Sequence, residues 1–437
     1  RPDLRDHREV DGLRERILSG KYLLKGGCVL TLGARTANLA EGDVLIEDGR
    51  VSEIGQGLRA RNAEQIDTSN CIVMPGFVDT HRHSWRTLFR NLDDPSHQQP
   101  LVGSDLSPED VYAAALVGLK GALAAGISTV VDWADPPHSK TILDALRNAH
   151  HDSGARVVSV LPSSLGEAPI RAATKETTDL LTVAFGSEST DLQGAATEWS
   201  GARELGLRIH HHVHLDGQTI GHVDRLGNAG LLGDDVTLCH CAGVNDSDLA
   251  AINAAGARVV ITPAAEMSGG MGLPPIQRLI DNGIRPGLGV DSESNAPGDM
   301  FAQMRAVNSI QHAAMFDLKL SGKAGAPQPL TTRDVIKYAT FDGAHAVGMS
   351  AETGSLERGK QADVLVLRTD LPNIHPVNDP IGAVVWGMDT SNVDWLFVGG
   401  EPKVRSGELV SGLERALELA RTSHRRLVEA SAPRDQH

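Results

Sequence analysis

Apolar and polar residues alternate differently along successive stretches of the chain. Between residues 21 and 74, short apolar runs are broken by Gly, Asn and Asp, and a Glu-Asp-Gly-Arg turn at 47–50 separates two of them. This pattern predicts a small antiparallel β unit. From Pro75 to about Leu330, short runs rich in Val, Ile and Thr alternate with stretches rich in Ala and Leu. Such alternation predicts strands that alternate with helices.

Eight strand-like runs occur in this second stretch, and helices with clear ends separate them. The best-marked helix has Ser107 as its N-cap, Pro108 at its first position, Asp110 as the reciprocal cap and Gly126 after its last turn. Eight strands that alternate with helices predict an α/β fold, a parallel (β/α)8 TIM barrel. The predicted strands are Phe77–His81, Ile127–Asp132, Arg156–Leu161, Leu180–Phe185, Leu207–His214, Val236–His240, Arg258–Thr262 and Pro286–Asp291.

The β pattern returns after the barrel, at 362–367 and 393–398, and an amphipathic helix follows at about 407–428. The simplest architecture is one barrel with a small β-sandwich domain built from both chain ends. The expected limits are 1–20 for a charged N-terminal arm, 21–74 and 351–406 for the two parts of the β-sandwich domain, 75–350 for the barrel and 407–437 for the C-terminal helix.

Composition narrows the classes of function. Among the 437 residues, 41 Lys and Arg stand against 56 Asp and Glu, a net charge of −15, which argues against nucleic-acid or anionic-membrane partners. No run approaches the roughly 18 apolar residues of a membrane span. The 4 cysteines are too few for a disulfide framework, so we expect a cytoplasmic protein. With nucleic-acid and membrane partners excluded, we expect a small-molecule substrate. The 18 histidines, against 7 Phe, 5 Trp and 3 Tyr, direct attention to metal ligands.

Two histidine clusters occur at predicted strand ends. His81 and His83 are two residues apart and therefore face the same way at the C-terminal mouth of the first barrel strand. His210, His212 and His214 share one face of the fifth strand, where unpartnered imidazoles inside a barrel would be costly. A bound metal accounts for both clusters. Either His212 or His214 can be the ligand from the fifth strand.

Two more strands end in residues of the same chemistry. His240 ends the sixth strand, and Asp291 ends the eighth, where it can supply an oxygen ligand or act as a base. His or Asp at the ends of four barrel strands is far more specific than any single pair. Together they predict a metal-dependent active site at the mouth of the barrel.

Several segments carry a resemblance to a known family. They are PGFVDTHRH at 75–83, the histidines of the fifth strand, His240, GLGVDS at 287–292 with DMF at 299–301, and GSLERGKQADV at 354–364. With these segments the chain resembles the amidohydrolase superfamily, in the branch that includes cytosine deaminase, guanine deaminase, S-adenosylhomocysteine deaminase and the triazine hydrolases. The resemblance extends from about Lys21 to Gly407.

The resemblance implies one divalent transition metal ion, with zinc expected and iron, manganese or cobalt compatible with the same donors. The implied ligands are His81, His83, one of His212 and His214, and Asp291. A metal-bound hydroxide would attack the substrate, since a bound metal lowers the pKa of water from about 15.7 towards about 7. Asp291 would also take a proton from this water, and His240 would stabilise the reacting centre. The resemblance further implies a homo-oligomer, a dimer or larger.

One departure from the family pattern concerns proton transfer. The deaminases carry a glutamate three residues after the ligand of the fifth strand, whereas this chain has Leu215 or Gly217 there, depending on which histidine binds. Neither side chain can transfer a proton, and Asp216 lies past the expected strand end. Glu266, just after the seventh strand, is a candidate substitute; the alternative is a solvated loop charge. The Thr-Pro-x-x-Glu sequence at 262–266 resembles members near the phenylurea and thiocarbamate hydrolases.

These observations predict a metal-dependent hydrolase that cleaves a C–N bond of a small heterocyclic or aromatic molecule, as a deaminase or as an amide, urea or carbamate hydrolase. One alternative is hydrolytic displacement of a halide or thiolate by the same metal centre. Another is a catalytically inactive scaffold, which would be expected to have lost ligands that are all present here.

Six other residues complete the expected picture. Trp85 and Trp133, at two strand ends, are candidates to contact a flat substrate, with ordinary packing as the alternative. His150 and His151 lie in a helical segment and are expected at its surface. Cys239 and Cys241 are expected to be buried small apolar residues.

Overall fold

The computed structural model describes residues 20–91, 106–135, 139–213, 220–322 and 324–431. Five strands precede the barrel: β1 Tyr22–Val29, β2 Leu39–Glu47, β3 Arg50–Gly55, β4 Glu64–Asp67 and β5 Cys71–Pro75. The turn between β2 and β3 has φ values of 52° at Asp48 and 74° at Gly49, as a two-residue hairpin with the right-handed strand twist requires. The predicted arm at 1–20 lies almost wholly outside the described residues.

The N-terminal β unit is mixed, whereas an antiparallel unit was expected. β1 pairs antiparallel with β2, but it pairs in parallel with both β4 and β5. The chain crosses from β3 to the opposite edge of β1 before it forms β4. Periodicity along a single strand contains no information about such a crossing, because it does not depend on the direction of the neighbour.

Eight parallel strands then form a second sheet in which each strand pairs with its predecessor in the chain. They are β6 Phe77–Arg82, β7 Ile127–Trp133, β8 Arg156–Pro162, β9 Leu181–Ser187, β10 Ile209–Val213, β11 Val236–His240, β12 Arg258–Ile261 and β13 Gly287–Leu288. All eight correspond to predicted strands. The predicted TIM barrel is confirmed.

Helices lie between and after these strands. They are α1 Pro108–Ala124, α2 Lys140–Ser153, α3 Glu167–Ala173, α4 Leu192–Glu204, α5 His222–Asn228, α6 Asp246–Ala255, α7 Pro263–Ser268, α8 Ile276–Asp281, α9 Met300–Leu320, α10 Thr332–Tyr338, α11 Phe341–Ala346, α12 Pro380–Gly382 and α13 Leu413–Ser431. α1 begins with the predicted capping box, in which Ser107 and Asp110 satisfy each other's backbone N–H groups. Gly126 follows with φ 81°. No helix in these described ranges is long and apolar enough to cross a bilayer.

The barrel closes between its last and first strands. Asp291 N donates to His81 O at 2.7 Å, and His83 N donates to Asp291 O at 2.8 Å. A Cβ at Gly289 would lie 2.8 Å from His81 N, so only glycine allows the two backbones to approach this closely. Asp79 ties the seam together, since its carboxylate accepts from Val290 N and pairs with Arg82. The closure therefore places His81, His83 and Asp291 side by side.

The C-terminal segments complete the first sheet. β14 Val364–Arg368 pairs antiparallel with β5, and β15 Val393–Val398, β16 Glu401–Arg405 and β17 Glu408–Leu409 extend it to nine strands. The small β domain built from both chain ends is thus confirmed. β17 lies beyond the expected limit at 406, because a tight turn at 406–407 folds it back on β16. The exact domain limits remain a prediction.

Candidate functional site

His81, His83 and Asp291 form the first part of the site at the seam of the barrel. Asp291 Oδ1 lies 3.4 Å from His83 Nε2 and 3.8 Å from His81 Nε2. All three side chains are buried. Asp291 has φ 66°, a left-handed conformation that costs about 1–3 kcal/mol for a non-glycine residue.

His212 brings a third imidazole to the same place. Its Nε2 lies 3.3 Å from His81 Nε2, and its ring centroid is 3.9 Å from that of the Trp133 indole. β10 directs His212 into the barrel, as its alternation with Val213 predicts. His214 lies outside the described residues, as do Leu215, Asp216 and Gly217, so a ligand role for His214 remains a prediction.

These donors fit a divalent metal ion. His81, His212 and His240 have ligand atoms within 4.8 Å of one another, and so do His81, His83 and Asp291. Burial, followed by the neighbouring histidines, holds the pKa of His81 well below its ordinary value. The imidazole is therefore neutral, which is the form that binds metal. Three imidazole nitrogens and one carboxylate oxygen suit zinc and its neighbours in the first transition row.

His240 reaches the site through an unusual backbone. Cys239 packs inside the barrel with Val78 and Val131, so regular alternation would turn His240 outward. Left-handed φ values of 73° at His240 and 58° at Cys241 redirect the chain, and the His240 ring lies 5.0 Å from that of His81. The two cysteines are buried, as expected.

Glu266 lies on α7 and is fully buried against His240. Its Oε1 accepts from Thr262 N at 2.9 Å and lies 3.2 Å from His240 Nδ1. The alternative of a solvated loop charge was wrong. Burial lowers the pKa of His240, but the hydrogen bond with Glu266 and the charges of Asp291 and Glu266 outweigh it, so this pKa is raised. The pair is thus arranged to hold a proton on His240.

Asp135 is a site residue that the sequence reasoning missed. Its Oδ1 lies 2.9 Å from His83 Nδ1 and accepts from Trp85 Nε1 at 2.7 Å. Burial raises the pKa of Asp135, but His83, Arg86 and Trp85 together lower it below its ordinary value. A carboxylate on Nδ1 fixes the tautomer of a histidine whose Nε2 binds metal. The available signal was an Asp two residues past the end of the neighbouring strand.

Both candidate tryptophans lie around the histidine cluster. Trp85 is buried, with its indole N–H committed to Asp135. Trp133 is 1% exposed and packs beneath His212. The structure therefore gives each indole a supporting contact, while direct contact with substrate remains a prediction.

His150 is buried, so the expectation of a surface position was wrong for it and right only for His151. His150 Nε2 lies 2.7 Å from Asp132 Oδ2, and the same carboxylate accepts from Ser84 N at 2.7 Å and Ser84 Oγ at 2.5 Å. The reason is helical periodicity, since His150 follows the buried Leu146 by four residues on α2. The network anchors the turn that directly follows His83.

Comparison with known proteins decides the family. Residues 72–190 and 199–403 match the amidohydrolase family. The chain belongs to this family. The expectation drawn from the motifs is confirmed, and this amidohydrolase is a metal-dependent hydrolase that acts on carbon–nitrogen bonds other than peptide bonds.

Relatives of this amidohydrolase include several deaminases. It is 26% identical to a 5'-deoxyadenosine deaminase of Methanosarcina acetivorans, over 93% of this chain and 98% of the relative. It is 25% identical to a 5-methylthioadenosine/S-adenosylhomocysteine deaminase of Acetivibrio thermocellus, over 89% and 94%.

Solved structures share the fold over nearly the whole chain. A zinc-bound adenosine deaminase from Xanthomonas campestris has a TM-score of 0.81 at 20% identity, and the match covers 94% of this amidohydrolase and 99% of that chain. A zinc complex of atrazine chlorohydrolase from Arthrobacter aurescens has a TM-score of 0.81 at 21% identity, with 92% and 100% covered.

Proposed function

We propose that this amidohydrolase hydrolyses a C–N bond of a small heterocyclic or aromatic molecule and releases ammonia or an amine. The observation that carries the proposal is the buried pair of His240 and Glu266 beside the histidine and aspartate donors. The deaminase names of the most similar relatives support a nitrogen leaving group.

The proposed metal ligands are His81, His83, His212 and Asp291. When bound there, a divalent metal supplies Lewis acidity and a water that is acidic enough to act as nucleophile near neutral pH. Asp135 orients His83 through Nδ1, and Trp133 supports His212 from below. We propose zinc as the metal, because the donor set suits it and zinc occupies similar folds.

Asp291 and His240 divide the proton transfers between them. The Asp291 carboxylate lies at the mouth end of the barrel seam and accepts a proton from the attacking water. His240 donates a proton to the departing nitrogen, and Glu266 stabilises the protonated imidazole through Nδ1. Glu266 thereby takes over the task that a glutamate three residues after the fifth-strand ligand would perform, since Leu215 cannot.

The substrate is expected to be small and largely apolar. Exposed apolar side chains follow two of the barrel strands on the mouth side: Ile220 after β10, and Met267 and Leu273 after β12. Barrel enzymes bind substrate on this side, in pockets lined mainly by apolar groups. Trp85 and Trp133 are proposed to contact a flat ring once it enters.

A substrate screen of metal-replete protein tests the proposal. Adenine nucleosides, ureas, carbamates and aryl amides are assayed for release of ammonia or amine, before and after removal of metal with a chelator and after re-addition of zinc. The proposal expects turnover that is lost with the metal and restored by zinc. Turnover that persists in metal-free protein would refute it.

Two variants connect the reaction to the residues. Glu266→Gln should lose most of its activity, whereas Glu167→Gln, at an exposed position on α3, should not.

Release of halide or thiolate without release of amine would instead support displacement of a non-nitrogen group. A purified protein without transition metal and without turnover would support an inactive scaffold.

The proposal also covers assembly and location. We propose a cytoplasmic homo-oligomer that acts on small molecules and uses no nucleic-acid or membrane partner. The net charge of −15 supports the absence of nucleic acid. Light scattering of the purified protein tests the assembly, and cell fractionation tests the location.

A further inference from the structure

The floor of the barrel, opposite the metal ligands, carries a layer of arginines. Arg156 begins β8, Arg258 begins β12 and Arg208 directly precedes β10. Two residues later each strand has an inward-facing side chain, Val158, Val260 and His210 respectively. Since side chains two apart share a face, the three arginines point into the barrel from alternate strands, as layers in such barrels do.

Only one of these arginines is paired with a carboxylate. Arg156 binds Asp363 through two contacts of 2.7 and 2.9 Å. Within the described ranges, no carboxylate oxygen lies within 4.0 Å of Arg208 or Arg258. Arg208 reaches only Thr237 Oγ1, at 3.5 Å, and Arg258 Nε is buried without a hydrogen-bond partner in this part of the chain. Half-buried cations left in this state are costly.

Two carboxylates near the floor are paired with other arginines. Asp235 pairs with Arg203 at 2.7 Å, and Asp342 pairs with Arg285 at 2.9 Å.

Arg208 and Arg258 lie close to each other. Arg208 Nη1 lies 3.5 Å from Thr237 Oγ1, and Thr237 is the register partner of Arg258 on the neighbouring strand. Burial and then the charge of Arg258 lower the pKa of Arg208, whereas the charges of Asp234 and Asp235 raise it. These two carboxylates act from a distance, so neither arginine has a direct carboxylate partner within the described residues.

A cavity of about 300 Å³ opens beside this layer. Arg258, Arg285, His345 and Asp342 are among its lining residues. Burial and the charges of Arg258 and Arg208 lower the pKa of His345, and the charge of Asp342 opposes them. Arg208 reaches the same segment, since a Cβ at Gly348, three residues after His345, would lie 2.5 Å from Arg208 Nε. Arg208 and Arg258 are separated by one strand, β11, which corresponds to about 10 Å between their backbones. Two arginine side chains can converge on one small group across that distance.

We propose that the barrel floor binds a doubly charged oxyanion, inorganic phosphate or the phosphate group of a metabolite, between Arg208, Arg258 and His345. The planar guanidinium group matches the oxygens of a phosphate in paired hydrogen bonds. Such an anion would pair directly with both guanidinium groups. This site is separate from the metal centre and does not depend on the proposed hydrolytic function.

Thermal unfolding of the metal-replete protein at constant ionic strength tests the proposal. Inorganic phosphate, glycerol 3-phosphate and acetate are titrated in turn. The wild-type Tm should rise saturably with phosphate, because a ligand of the folded state stabilises it. Acetate, with a single charge, should bind at least tenfold more weakly. The tighter of the two phosphate compounds identifies the source of the group.

Three variants locate the response. Arg208→Gln and Arg258→Gln should each weaken phosphate binding at least tenfold, since each loses charge-assisted hydrogen bonds. Without phosphate their Tm should not fall, because each removes a half-buried cation that has no direct carboxylate partner within the described residues. Arg171→Gln removes an exposed, paired arginine on α3 and should respond like wild type.

Two results would overturn the proposal. The first is a wild-type Tm that does not rise saturably with either phosphate compound. The second is a rise that is equal in wild type and Arg258→Gln, which would place the anion elsewhere, for instance at the metal. If Arg258→Gln does not fold, Arg258→Lys keeps the charge without the planar fork and should bind phosphate more weakly than wild type.

Discussion

Replacement of Asp135 by Asn tests how the metal centre is held. Asp135 is half-buried and its Oδ1 faces both His83 Nδ1 and the Trp85 indole N–H. The Asn side chain has nearly the same shape but no charge, and it can present an N–H group towards His83. We expect Asp135→Asn to weaken metal binding by about 10- to 100-fold, which corresponds to about 1.4–2.7 kcal/mol.

Two further variants are compared with Asp135→Asn for their effect on metal affinity. Trp85→Phe removes one donor to Asp135 and leaves the His83 contact, so its cost should stay near 1 kcal/mol, less than tenfold in metal affinity. Asp144→Asn, at an exposed position on α2 that pairs with Lys140, should leave metal affinity unchanged.

Competition with a chromophoric chelator measures the zinc affinity of each variant, and circular dichroism checks the fold. Metal affinity equal to wild type in a folded Asp135→Asn variant would refute the view that Asp135 orients His83. An equal loss in Asp144→Asn would show that charge alone, without contact, produces the effect.

Three further outcomes are expected. Glu266→Gln should lower kcat by about 10²-fold or more while metal content stays constant, as measured by steady-state kinetics and elemental analysis; unchanged kcat would remove Glu266 from the mechanism. His212→Ala should lose bound metal and His214→Ala should retain it, and the reverse result would identify His214 as the ligand from the fifth strand. Asp132→Ala leaves three buried hydrogen-bond donors without an acceptor. It should lower the free energy of unfolding, measured with urea, by about 3 kcal/mol or more, against about 1 kcal/mol for Ser84→Ala. Equal losses in the two variants would contradict the network.

Sequence reasoning succeeded where periodicity and chemistry point the same way. His81, His83 and Asp291 occur at strand ends. The position of a residue at the end of a barrel strand determines how deep its side chain lies in the barrel and which way the side chain faces. The barrel itself was predictable because eight strand-like runs alternate with helical stretches, the first of which has a capping box at Ser107 and Asp110 and a glycine after its end at Gly126.

The same reasoning was incomplete where backbone conformation or packing between elements decides. The sequence assigned His240 to the site because it ends a strand, but alternation alone does not predict the two left-handed residues that turn its ring inward. Glu266 and His150 are polar residues on short or amphipathic helices, and their burial depends on what packs against those helices. Asp135 acquires its role only when β6 and β7 lie side by side, because its partner His83 is 52 residues away.

The seam of the barrel gives the proposed metal ligands an order of assembly. Two of them come from the first barrel strand and one follows the last, so more than two hundred residues separate donors that lie less than 4 Å apart. A nascent chain cannot complete the centre until the residue at 291 has left the ribosome and the first and last strands have met. With these ligands, metal occupancy would report that the ring of strands is complete, and a bound ion would cross-link the first and last strands, between which the barrel opens.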